Sequence, residues 1–129
     1  MINEEKFHAT YRNFDREIVL EIIDIFLKEY DDRVEKLVTF YTTGNYDELS
    51  KTAHAFRGVI SNFETDCAAY HQISDLENST RELLEHKNTS TAIDENHYRI
   101  MFGELLAAFK VTSKQMFKQL QNMRAGYMD

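Results

Sequence analysis

The sequence predicts an all-α fold: an antiparallel up-down four-helix bundle with a short additional N-terminal helix. Three observations carry that expectation. The 129 residues contain no proline and only four glycines (Gly44, Gly58, Gly103 and Gly126), so the usual punctuation of strands and tight turns is nearly missing. Apolar residues recur at three- and four-residue steps along almost the whole chain, which is the helical period. The links between periodic stretches are short, and long helices joined by short links pack as antiparallel neighbours.

Pattern alone places a first helix at about Glu4 to Tyr11. A second runs from about Asp15 to Tyr41, with Val19, Ile23, Phe26, Tyr30, Val34, Leu37 and Tyr41 on its apolar side. It should stop at Thr42-Thr43-Gly44, where glycine can adopt the left-handed conformation that closes a helix. Asn45 reads as the N-cap of a third helix, with Glu48 three residues on to complete a capping box. That helix carries Leu49, Ala53, Phe56, Ile60 and Phe63 inward. A break near Glu64-Thr65-Asp66 would let Thr65 or Asp66 cap a fourth helix, from about Asp66 to His86, burying Ala69, Ile73, Leu76 and Leu83. Lys87-Asn88-Thr89-Ser90 reads as a polar connection. The last helix spans about Ala92 to Met123, through Tyr98, Met101, Leu105, Phe109, Met116, Leu120 and Met123. The whole chain, 1–129, reads as one domain.

Bulk properties narrow the function. Hydrophobic residues at 43% and charged residues at 29% fit a globular protein that builds its own core. The formal net charge of −7 argues against nucleic acid as the main partner, because phosphate backbones need a concentrated basic surface. The N-terminus is polar almost at once, and the most apolar stretch, Ile18 to Leu27, is interrupted by Glu21 and Asp24. Neither a signal peptide nor a membrane span is expected. Cys67 has no second cysteine to pair with, which suits a reducing cytoplasm, and reads as a small buried hydrophobe. There is no His-x-x-x-His pair, and no long helix carries the Glu-x-x-His pair that would make a di-metal bundle site. His8, His71, His86 and His97 lack a set of chemical neighbours in sequence, and Gln72 is a weak candidate for a hydrogen bond toward the third helix.

The informative segment is Thr52-Ala53-His54-Ala55-Phe56-Arg57-Gly58-Val59-Ile60-Ser61. At about 100° per residue, His54 points roughly 160° away from the core residue Phe56. Asp47, Ser50, Lys51, Arg57, Gly58 and Ser61 surround it on the wet face. A neutral imidazole nitrogen is a competent nucleophile near physiological pH. A phosphorylated imidazole carries a dianionic group, and Arg57, one turn later on the same face, offers a fork of donors to it. Lys51 adds positive potential from the preceding turn. Gly58 costs about 1 kcal/mol against alanine in mid-helix. Its use is clearance, so that a partner's active site can approach for in-line transfer.

The run His54-Ala55-Phe56-Arg57-Gly58 resembles the signature of the histidine phosphotransfer (HPt) family: a histidine, two residues, a lysine and a glycine on the second helix of a four-helix bundle. Asn45 to Leu49 resembles the approach to that helix, and Ala69 to Glu77 the next one. The resemblance implies a phosphorelay protein of two-component signal transduction, with His54 as phosphoacceptor, Arg57 in place of the usual lysine beside the phosphate, and Gly58 keeping the approach open. It also implies response-regulator receiver domains or a hybrid histidine kinase as partners, Mg²⁺ supplied by the receiver, and no cofactor or ATP site of the chain's own; a cytoplasmic setting is expected, and a monomer is favoured with the oligomeric state left open. Arginine for lysine, Val59 and Ile60 where small residues are usual, and Glu64 where glycine is common depart from the family pattern. They motivate an alternative: a bundle that binds a receiver or kinase as an adaptor without carrying phosphate.

Overall fold

A computed structural model describes residues 1–88 and 94–128. These form five helices: α1 (Glu4–Thr10), α2 (Arg16–Thr43), α3 (Tyr46–Ile60), α4 (Ala68–Asn88) and α5 (Glu95–Tyr127). No strand occurs among the described residues. None of these helices is long and apolar enough to cross a membrane.

The ends follow local chemistry. The Asn3 side chain accepts the Lys6 N–H and starts α1. Gly44, at φ 71°, closes α2, donating its N–H to Phe40 and Tyr41 carbonyls, and the Asn45 N–H also reaches the Phe40 carbonyl. Asn45 then caps α3 by accepting the Glu48 N–H at 3.3 Å. The reciprocal half of the expected capping box is not made. The Asn45 N–H is spent on Phe40, and the Glu48 carboxylate lies 3.6 Å from Lys51 instead. The break after α3 covers residues 61–67, so Phe63 lies beyond the helix, although its ring is buried. The new start falls at Ala68, two residues later than expected. Its first turn closes on the Cys67 carbonyl, which accepts the His71 N–H, so neither Thr65 nor Asp66 stands at the cap position; the Asp66 N–H goes to the Glu64 carboxylate. Lys87 and Asn88 belong to α4 rather than to a connection. The rest of that connection and the expected start at Ala92 lie outside the described residues; Asp94 caps α5, accepting the His97 N–H.

Helices α2 and α3, α3 and α4, α4 and α5, and α5 and α2 pack on one another, which closes a ring. Partners rise along α2 as they fall along α5: Asp24 with Arg124, Tyr30 with Ser113, and Tyr41 with the Arg99 carbonyl. The same holds for α4 and α5, where Gln72 meets Thr112 and Glu82 meets Tyr98. Gln72 therefore serves α5, not α3. At the centre, Phe56 meets Phe109 edge to face at 4.9 Å between ring centroids, with Phe26 and Tyr30 flanking it.

The inward row of α5 differs from expectation in its first half. Phe102 and Leu106 are buried, while Met101 and Leu105 are only partly so. Adjacent apolar residues occupy both registers, and packing selects the row that continues through Ser113. That hydroxyl is fully buried and satisfied by Tyr30 at 2.8 Å.

Helix α1 covers one end. Phe7 stacks on Phe63, Ile2 exchanges two hydrogen bonds with Gln119, and the Asn3 N–H donates to Glu64 at 2.9 Å. His8, without a sequence neighbour to explain it, meets the Tyr127 hydroxyl at 2.5 Å. Glu64 is thus a buried anchor between α1 and the α3–α4 connection. Burial pushes its carboxyl up, but backbone N–H groups of Asn3, Asp66 and Thr65 and the charge of Lys6 outweigh this and hold it below the ordinary value of 4.5. A depressed acid stabilises the fold fully above its unfolded value and loses that contribution as pH falls through the folded one. Thermal melts between pH 5 and 3 should therefore show an acid-induced loss of stability that Glu64→Gln makes shallower.

Candidate functional site

Helix α3 buries Tyr46, Leu49, Ala53, Phe56 and Ile60 on one side. That fixes the rotation of the helix and turns His54 outward, with its side chain 60% exposed. Gly58 follows one turn on, and a Cβ built there would meet nothing within 4 Å. The surface beside the imidazole is therefore bare backbone.

The imidazole does not stand alone. Its Nδ1 lies 2.8 Å from Oε2 of Glu77 on α4, and Glu77 is 0% exposed. An ionised carboxylate only accepts, so this contact puts the proton on Nδ1 and leaves the lone pair on Nε2. A buried carboxylate needs compensating charge, and two guanidinium groups supply it. Arg57 Nε is 3.2 Å from Oε1, although not aligned for a hydrogen bond, and Arg81 Nη2 is 2.5 Å from Oε2. One fixed acid thus gathers an imidazole and two cations from two helices.

The expected site residues fare differently. His54, Arg57 and Gly58 share the outer part of α3 as expected, but Arg57 is half-buried, its side chain 32% exposed and turned to Glu77. Lys51 is 66% exposed and paired with Asp47 and Glu48 on its own helix, not directed at His54. The Ser61 hydroxyl donates to the Gly58 carbonyl at 2.6 Å, which finishes α3. Cys67 is buried. Glu77 and Arg81 were not among the expected residues. A signal for Glu77 existed: it lies four residues after Ile73 and three before Thr80, both fully buried, so a carboxylate stands in a core-facing row. Among the described residues, no group of three or more His, Cys, Asp or Glu could hold a metal ion.

The open surface at Gly58 yields a sharp expectation. Gly58→Leu should raise stability by about 0.5–1 kcal/mol through helix propensity. On the expectation that His54 accepts a phosphoryl group from a receiver domain, it should slow that transfer by about tenfold or more, because reacting atoms are displaced. Labelling by the small donor phosphoramidate should stay unchanged, and a matching loss with both donors would remove the clearance argument. No family model, curated protein or solved structure matches this chain.

Proposed function

We propose that the chain is a histidine phosphotransfer module in which His54 carries a phosphoryl group between receiver-domain aspartates. The observation that carries this reading is the exposed imidazole whose Nδ1 is held by a buried carboxylate, so that Nε2 is the free nucleophile. The ring of packed helices, with opposed partners along α2 and α5 and along α4 and α5, supports reading the domain as an antiparallel up-down four-helix bundle capped by α1.

The chemistry balances simply. The Nε2 lone pair attacks the phosphorus of an aspartyl phosphate, the P–O bond to the aspartyl carboxyl breaks, and that carboxylate leaves with the bonding pair. The ring gains positive charge as the N–P bond forms, and Glu77 sits against Nδ1–H where that charge is shared. Arg57 stands within reach of the same carboxylate and adds positive potential for the incoming phosphoryl oxygens. The reverse step hands the group to a second aspartate. The receiver supplies Mg²⁺, which would neutralise phosphoryl charge during transfer. Partners are response-regulator receiver domains or the receiver of a hybrid histidine kinase, in the cytoplasm, met by a monomer of this chain.

The test is transfer from a panel of phosphorylated receiver domains with Mg²⁺. Acid-labile, base-stable label on the wild type and none on His54→Gln is the expected result. Tight receiver binding that His54→Gln leaves unchanged, with no label on either protein, would establish the adaptor instead.

A further inference from the structure

We infer that Arg81 is a second phosphoryl-holding residue, filling from α4 the position that the sequence suggests for Lys51. The inference rests on the phosphotransfer reading of His54 and adds a residue to it. Arg81 Nη2 and His54 Nδ1 both contact Oε2 of Glu77, at 2.5 and 2.8 Å. The guanidinium is therefore within two hydrogen-bond lengths of the imidazole ring. Its side chain is 54% exposed, so the group rooted on Glu77 also faces water. A guanidinium has five N–H donors, and one contact with Glu77 leaves most of them for an anion.

Helices α3 and α4 pack together and are joined by residues 61–67. Arg81 follows Glu77 by one turn on α4, and Arg57 follows His54 by one turn on α3. The imidazole thus shares one carboxylate with two guanidinium groups, one from each helix. Two cations against one anion leave a surplus positive charge, and a phosphoryl group on Nε2 supplies the missing negative charge. Lys51 cannot take this part where it stands, because Asp47 and Glu48 already neutralise it.

The experiment uses phosphoramidate. The Nε2 lone pair attacks phosphorus, the P–N bond breaks, and ammonia leaves. Loss of the preformed phosphohistidine is then followed by ³¹P NMR. Arg81→Ala should shorten its half-life about tenfold, the factor that one charge-assisted hydrogen bond supports. Arg81→Lys should restore most of it, and Lys51→Ala should match the wild type. Imidazole ¹⁵N shifts should show the proton still on Nδ1 in Arg81→Ala. A half-life equal to wild type, or a tautomer that changes along with it, would overturn the role assigned to Arg81. Wild-type protein that takes no label at His54 would overturn the phosphotransfer reading itself, and this inference with it.

Discussion

Glu77→Ala should reduce the rate of the proposed phosphoryl uptake at His54 about 100-fold, the scale on which a mispositioned imidazole loses reactivity. The imidazole would stay exposed, but nothing would hold the proton on Nδ1, so both tautomers would compete and the ring would rotate. Arg57 and Arg81 would lose their common anchor. Removing one member of a buried pair costs about 3–5 kcal/mol, and here the cost should be at the low end because all three partners reach water. Glu77→Gln keeps an acceptor for Nδ1–H without the charge, so it should fall between alanine and the wild type. Single-turnover labelling with phosphoramidate, alongside imidazole ¹⁵N shifts, separates the tautomer effect from simple unfolding. Uptake equal to wild type in the alanine variant would show that the carboxylate only neutralises arginine.

Phe56→Ala should destabilise the domain by about 3–5 kcal/mol, with little of that recovered by relaxation. Phe56 is fully buried and touches aromatic rings from α2 and α5: Phe26, Tyr30 and Phe109. The resulting void would open beneath the helix that carries His54. The melting temperature should drop by about 10–20 °C. His54→Ala should change stability by about 1 kcal/mol or less, since the exposed ring contributes a contact to Glu77 but no core volume. Denaturant melts of the two variants test whether scaffold and chemistry occupy opposite sides of α3. A large loss in His54→Ala would contradict that separation.

The helical period made the scaffold legible. Val19, Ile23, Phe26, Ala53, Phe56 and Ile60 face inward in rows spaced at three or four residues, although Ile18, Ile22 and Ile25 give α2 a second apolar row, of which Ile18 and Ile25 stay exposed. The first half of α5 was ambiguous because Met101-Phe102 and Leu105-Leu106 supply two apolar rows. Ser113, polar in isolation, lies on the true one and is buried through a hydrogen bond to another helix. The same limit governs the site. His54, Arg57 and Gly58 are neighbours along one helix, so their common face follows from rotation alone. Glu77 and Arg81 reach them from 23 and 27 positions along the chain from His54, through the packing of α3 on α4. Lys51 illustrates the converse: proximity in sequence placed it near the histidine, yet Asp47 and Glu48 lie closer to its ammonium.

The acid and the proposed nucleophile belong to different rods, and this makes reactivity a property of assembly. A synthetic peptide covering α3 would contain the histidine, the arginine and the glycine, yet its imidazole would behave like any other in water. Slippage between the two rods by a fraction of a turn would uncouple the ring from its carboxylate before the protein lost much helix. The tautomer at residue 54 is therefore a built-in gauge of tertiary alignment, readable while the backbone is still fully coiled.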